Sequence, residues 1–139
     1  TGGENIGRDG CRVPLPWTSG GPSFGFSPEG SAAPWLPQPS DWGGYSAEAA
    51  EADPASTLAL YRRALALRRQ LPALGDGAQA WVEAGPDVLA FTRDPGFGCW
   101  VNFGDAPVAL PEGSSVLLAS DDLVGGRLAP DSAAWLQFA

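Results

Sequence analysis

Residues 1–45 place the strongest constraint on the fold, because they are dense in glycine and proline and show neither helical nor strand periodicity. The run Pro34–Pro39 is predicted to be extended, since each proline fixes its own φ and disfavours helix at the preceding residue. So long a stretch without regular structure is uncommon inside a self-contained domain. Large aromatic rings are rare in disordered linkers. We therefore expect this arm, residues 1–45, to pack on a surface through its rings: Trp17, Phe24, Phe26, Trp35, Trp42 and Tyr45.

A single amphipathic helix is predicted from about Pro54 to Leu71. Asp53 is suited to cap its first turn, and Pro54 suits the first helical position, where no backbone N–H is needed. Pro72 ends the helix. Helical spacing gives a broad apolar stripe of two adjacent rows: Leu58, Tyr61 and Leu65, then Leu60, Ala64, Leu67 and Leu71. This stripe, like the arm, requires a packing partner.

Residues 75–139 show short apolar segments separated by turns rich in Gly, Pro and Asp. The candidate strands are residues 78–84, 88–93, 98–103, 106–110, 115–119 and 133–138. Because no helix intervenes, neighbouring strands must be antiparallel, which predicts a small β-sandwich or curled sheet. We interpret Trp81, Trp100 and Trp135 as core residues, with a sugar-stacking platform as the alternative.

The residue types exclude several classes of function. The chain has no histidine, so Ser-His-Asp catalysis, Cys-His catalysis and any His-ligated metal are excluded within it. A net charge of −8 disfavours binding to nucleic acid or to an anionic membrane surface. No apolar run approaches the roughly 18 residues of a membrane helix. The sequence shows neither an initiator Met nor a signal peptide, so we expect a piece of a longer, cytoplasmic protein.

Few side chains are candidates for binding. Arg8 and Asp9, with Arg12 nearby, are suited either to hold a polar loop or to reach a sugar hydroxyl. Asp121 and Asp122 lack the spacing of a calcium-binding loop, so we interpret them as solvated turn residues. We predict neither a metal nor a cofactor.

Cys11 and Cys99 are too few for a disulfide framework or a zinc site. A disulfide between them is possible if the fold brings them together. We interpret them instead as two buried thiols.

Several motifs in order resemble the oligo-1,6-glucosidase and α-glucosidase branch of glycoside hydrolase family 13, within the α-amylase superfamily. The first is Gly7–Trp17, with an Arg-Asp pair, a second Arg and a Pro-x-x-Trp. Pro34–Pro37 is similar to the Pro-Trp-Leu-Pro element of that branch, and Ser56–Arg69 is similar to its final barrel helix. The sequences of Gly25–Pro28 and Val116–Ser120 are similar to those of actinobacterial members.

This resemblance implies an α+β fragment: the long irregular loop and last helix of a (β/α)₈ barrel, followed by an antiparallel β-sandwich called domain C. Residues 1–73 would end the catalytic barrel, with the loop after strand 8 at 1–53 and the final helix at about 54–71. Residues 74–139 would form domain C. The retaining carboxylates of the family would precede Thr1, so we expect no catalytic residue in this chain. Arg8 and Asp9 would shape the substrate rim.

The predicted function is that of the C-terminal part of an α-glucosidase that hydrolyses terminal α-linked glucose from short oligosaccharides. Its partner would be the upstream catalytic barrel of the same protein, through which it meets the oligosaccharide, and the chain alone would be inactive. We expect no nucleic-acid or membrane partner. The alternative is a stand-alone β-sandwich that binds carbohydrate or protein without catalysis. The helix stripe and the aromatic arm favour the first hypothesis, because an independent module would not leave both without a partner.

Overall fold

The computed structural model describes residues 7–138, and the chain divides into two compact units, residues 1–61 and 62–139. The first unit contains the arm and helix α1, Ala47–Ala52. The second unit contains an antiparallel sheet. A longer helix, α2, spans Thr57–Gln70.

The arm follows the irregular course predicted for it. Over its described residues it forms short 3₁₀ helices at Asp9–Arg12, Pro22–Gly25 and Trp42–Tyr45. It folds back on itself because the backbone N–H groups of Trp17 and Thr18 both donate to the Phe24 carbonyl, at 2.8 and 2.9 Å. Ser23 and Phe24 adopt positive φ angles of 50° and 51°, which are uncommon for residues other than glycine. Trp35 is 98% exposed, so the described residues do not supply the surface expected to cover its ring.

Helix α1 lies within the residues predicted as loop. Its six residues, Ala-Glu-Ala-Ala-Glu-Ala, are all strong helix formers. The buried hydroxyl of Ser46 caps the first turn by accepting from the backbone N–H of Ala49 at 3.2 Å. The helix joins the arm where the N–H of Ala47 donates to the carbonyl of Pro16 at 3.1 Å. A helix this short has too few turns to show a periodic pattern in the sequence.

Helix α2 begins at Thr57, later than predicted. The cap is Ser56, whose hydroxyl accepts from the backbone N–H of Ala59 at 3.2 Å. Asp53 accepts instead from the N–H of Ala55 at 2.8 Å, in the turn before the helix. The predicted cap at Asp53 is therefore wrong, because its carboxylate stabilises that earlier turn.

The apolar stripe of α2 is only partly covered. The row at Leu60, Ala64 and Leu67 is half-buried. In the adjacent row Tyr61 is 64% exposed and Leu65 is 50% exposed, and α2 contains no buried residue. Neighbouring apolar side chains that are this exposed to solvent are typical of a contact site.

In the described part of the chain, five antiparallel strands form one sheet in the order β1-β2-β3-β5-β4. They are β1, Gln79–Val82; β2, Val88–Arg93; β3, Phe97–Asn102; β4, Ser114–Ala119; and β5, Ser132–Phe138. The antiparallel pairing is as predicted. The candidate strand at residues 106–110 is wrong, since only Val108 pairs there, in an isolated bridge with Leu128. Pro107 explains the difference, because proline has no N–H to donate to a strand ladder.

One face of the sheet carries the larger core. The loops before and after β4 fold over this face, and Leu128 from the second loop is fully buried against it. The buried members of this first cluster are Ala90, Trp100, Leu128, Ala134 and Leu136. The second layer of the domain is therefore made of loops that carry isolated β-bridges.

Asn102, at the end of β3, holds these loops in place. It is 0% exposed. Its side-chain amide donates to the carbonyls of Ala106, Leu128 and Ala129 at 2.9, 3.3 and 3.0 Å. Its Oδ1 accepts from the N–H of Gly104 at 3.0 Å. A single polar side chain thus satisfies backbone groups from both loops.

The opposite face packs on the segment that links α2 to β1. The buried members of this second cluster are Ala73, Phe97 and Cys99. Arg93 fixes the rest of the link, because its Nη2 donates to the carbonyls of Gly75 and Gly77 at 2.8 and 2.9 Å. Gly77 must be glycine, since a Cβ there would collide with the carbonyl oxygen of Asp94.

Candidate functional site

The predicted rim residues lie in the first turn of the described arm. Asp9 Oδ1 lies 3.7 Å from Arg12 Nη1, and both side chains are exposed. Arg8 is also exposed, and its carbonyl accepts from the N–H of Cys11 at 3.2 Å. The structure therefore pairs Asp9 with Arg12 and leaves the Arg8 side chain outside the pair. These groups are accessible to a polar ligand, and their pairing also orders the loop.

A carboxylate that the sequence analysis missed joins the arm to α1. Oε2 of Glu48 accepts from the backbone N–H of Ser19 at 2.8 Å and from its hydroxyl at 2.7 Å. These two hydrogen bonds, the backbone one foremost, lower the pKa of Glu48 below its ordinary value of 4.5. The partners are 29 residues apart, so no local pattern could have revealed the contact.

We expect the Ser19–Glu48 contact to weaken in acid. A lowered folded-state pKa means that the contact stabilises the arm above the unfolded-state pKa and that this contribution is lost as the pH falls through the folded-state value. In an NMR titration, the amide proton of Ser19 should therefore shift with a midpoint below pH 4.5.

Two variants control this titration. In Glu48→Gln the Ser19 amide should no longer titrate, because the ionisable partner is gone. In Glu29→Gln, which removes an exposed carboxylate elsewhere in the arm, the titration should be unchanged. A Ser19 midpoint above the ordinary glutamate value would contradict the assignment.

Each unit contains an open cavity. The one in the arm has a volume of about 380 Å³ and is lined by Ser23, Phe24, Ala33, Pro34, Trp35, Pro37, Gln38 and Ser40. The one beside the sheet has a volume of about 400 Å³ and is lined by Leu71, Pro72, Ala73, Pro95, Gly96, Phe97, Gln137 and Phe138. No carboxylate lines either of these two cavities.

The described residues hold neither a candidate metal-binding group nor a membrane-spanning helix. Nowhere in residues 7–138 do three His, Cys, Asp or Glu side chains gather in a group that could hold a metal ion. Every helix in the same range is too short or too polar to cross a lipid bilayer.

Both cysteines are free thiols. Cys99 is buried, and this burial raises the pKa of its thiol. Cys11 is exposed, so the interpretation of two buried thiols is wrong for this residue. The reason is that Cys11 lies in an accessible 3₁₀ turn of the arm.

The strand tryptophans have different environments. Trp100 is buried in the first cluster and Trp135 packs against the second, as expected for core residues. Trp81 is 69% exposed, so the core interpretation is wrong for it. The reason is its place on β1, an edge strand that has a neighbouring strand on one side only.

Comparison with protein families assigns the chain. The model of the alpha-amylase catalytic domain matches residues 2–77, and that of a domain of unknown function, DUF3459, matches residues 98–135. Because the first match covers more than half of the chain, the chain belongs to the alpha-amylase family of glycoside hydrolases. A curated relative, a probable alpha-glucosidase of Rhizobium meliloti (strain 1021), is 46% identical over 90 residues, which are 65% of this chain and 16% of the relative.

Solved structures support the same fold. A trehalulose synthase from Pseudomonas mesoacidophila MX-45 matches with a TM-score of 0.72 and 25% identity, over 94% of this chain and 26% of that one. A Bacillus licheniformis trehalose-6-phosphate hydrolase matches with a TM-score of 0.71 and 23% identity, over 93% of this chain and 26% of that one. The fold class implied by the resemblance, an α+β fragment in which an antiparallel sheet follows the last helix, is confirmed. The chain spans about a quarter of these solved chains and 16% of the curated relative.

Proposed function

We propose that this chain is the C-terminal part of an α-glucosidase that hydrolyses terminal α-linked glucose from short oligosaccharides. The observation that carries the proposal is the open apolar row of α2, where Tyr61 and Leu65 are exposed within a segment that matches the alpha-amylase catalytic domain. Apolar surface of this kind needs a partner to exclude water. In this proposal the partner is the remainder of the catalytic barrel.

The proposed hydrolysis is of the retaining type. A retaining glycosidase needs a nucleophile and a general acid/base about 5–5.5 Å apart. We propose that both carboxylates lie in the barrel that precedes Thr1, because a barrel of this kind needs roughly 200 residues or more.

The chain would then complete the barrel and its rim. Residues 1–73 would close the barrel, residues 74–139 would form domain C, and the whole protein would be cytoplasmic. Arg8 and Asp9 would shape the substrate entrance, since their exposed charged groups can hydrogen-bond to sugar hydroxyls. The competing hypothesis, a stand-alone binding module, draws support from the exposed Trp81.

Two experiments together test this proposal: sequencing the coding region upstream of Thr1, and assaying the protein that it encodes. We expect an in-frame barrel with Asp, Glu and Asp motifs, and hydrolysis of a chromogenic α-glucoside by the longer protein. Residues 1–139 alone should give no turnover above buffer, because the reacting carboxylates are absent. A start codon beside Thr1, or turnover by the 139-residue chain alone, would overturn the proposal.

The proposed role of Asp9 at the substrate rim can be tested in the same assay. In the longer protein Asp9→Asn should raise KM more than it lowers kcat, because a contact at the entrance acts mainly on binding. Arg12→Gln is the matched control, since it breaks the same 3.7 Å ion pair without altering the carboxylate. If both variants raise KM equally, Asp9 only orders the loop and does not contact substrate.

A further inference from the structure

Trp81 is an exposed ring on a rigid support. It lies on edge strand β1, and its indole meets Phe91 edge to face, with ring centroids 5.8 Å apart and an interplanar angle of 80°. The row of rings continues into the second cluster, from Phe91 to Phe97 at 6.4 Å and from Phe97 to Trp135 at 5.6 Å. Contacts of this geometry fix the orientation of an aromatic ring. The indole is therefore held in place on one edge while most of its surface stays open.

Polar side chains flank the ring on the same face of the strand. Gln79 precedes Trp81 by two residues, so both project from one face. Val82 and Ala84 both pack on the first cluster, which places Glu83 between them on the opposite face, with Trp81. Both Gln79 and Glu83 are exposed, and across residues 7–138 neither side chain forms a hydrogen bond or ion pair. The strand therefore offers an amide, an indole and a carboxylate in a row, about 7 Å apart.

This combination matches the chemistry of a neutral sugar. The electron-rich face of an indole attracts the weakly positive C–H face of a pyranose ring. An amide can donate to and accept from hydroxyls, and a carboxylate can accept from two neighbouring hydroxyls. The charge of Glu83 and the net charge of −8 disfavour an anionic ligand.

We propose that Gln79, Trp81 and Glu83 form a platform that binds a neutral pyranose of an oligosaccharide, with the sugar stacked on the indole of Trp81. Binding on this platform does not depend on the hydrolysis proposed above. Either proposal can fail while the other stands, because the first needs an upstream barrel and the second needs only the sheet.

The test uses the 139-residue chain and maltoheptaose, a neutral linear glucose oligomer, as the probe. Each indole N–H gives its own NMR signal, so the signal of Trp81 should shift on titration, with a Kd on the order of 1 mM, as expected for one stacked ring. Trp81→Ala should weaken binding about tenfold. Trp35→Ala is the matched control, since it removes a more exposed ring from the other unit and should leave the affinity unchanged.

Further variants separate binding from folding. The double variant Gln79→Ala/Glu83→Ala keeps the ring and should weaken binding several-fold, and circular dichroism should show that each variant keeps the sheet. The proposal is overturned if maltoheptaose shifts no indole signal, if it shifts only that of Trp35, or if Trp81→Ala leaves the affinity unchanged. It is also overturned if the Trp81 signal depends on protein concentration without sugar in a Tyr61→Gln/Leu65→Gln variant, which lacks the open apolar row of α2, because a second copy would then cover the ring.

Discussion

Replacement of Asn102 by alanine should lower the free energy of unfolding by about 3 kcal/mol. The substitution leaves the carbonyls of Ala106, Leu128 and Ala129 and the N–H of Gly104 without their side-chain partner. The carbonyls of Leu128 and Ala129 keep one partner each, the N–H of Val108 and the hydroxyl of Ser132, so the cost is that of the lost hydrogen bonds, roughly 0.5–1.5 kcal/mol each. A loss of this size is a large fraction of the total stability of an ordinary domain. Urea unfolding followed by tryptophan fluorescence measures it.

Ser132→Ala provides the scale for this result. Ser132 is also buried, and its hydroxyl makes one hydrogen bond, to the carbonyl of Ala129 at 2.7 Å. Its loss should cost about 1 kcal/mol. If Asn102→Ala costs no more than Ser132→Ala, the amide of Asn102 does not hold the two loops to the sheet.

The 139-residue chain should bind a hydrophobic dye or self-associate in its folded state, and a variant of α2 should lose much of that behaviour. The open apolar row at Tyr61 and Leu65 is the reason, since exposed apolar surface attracts any apolar partner. The double variant Tyr61→Gln/Leu65→Gln removes the row and keeps strong helix formers in α2. Dye fluorescence and sedimentation velocity measure the change.

Arg63→Gln is the control for that variant. It alters an exposed residue of the same helix without changing the apolar row, so dye binding should stay as in the parent chain. A parent chain that sediments as a clean monomer and binds no dye would contradict the need for a partner at α2. It would also remove the main support for the proposed barrel contact.

Elements whose pattern is local were predictable from the sequence. The paired strands are short apolar runs between turn residues, and they form where that pattern lies. Pro72 marks the end of α2 closely, because proline cannot continue a helix. The start of α2 was less predictable, since Asp53 and Ser56 are both good caps and the sequence does not say which turn each one closes.

Features set by distant contacts were not predictable. The exposure of Trp81 depends on the order of strands in the sheet. An edge strand and a central strand can show the same alternation of apolar and polar residues, so the sequence does not tell them apart. Glu48 looks like any helix-surface acid until the arm folds Ser19 onto it. Arg8 and Asp9 were visible only as part of a motif, and their geometry alone leaves them an exposed charged turn.

The grip of Arg93 on the link between α2 and β1 has a mechanical consequence. Its guanidinium clamps the carbonyls of Gly75 and Gly77, while Ala73 is buried against the second cluster. These contacts restrict backbone rotation in the link, although two glycines within three residues would otherwise make it flexible. Motion at the link should therefore be transmitted directly to β2, the strand that carries Arg93.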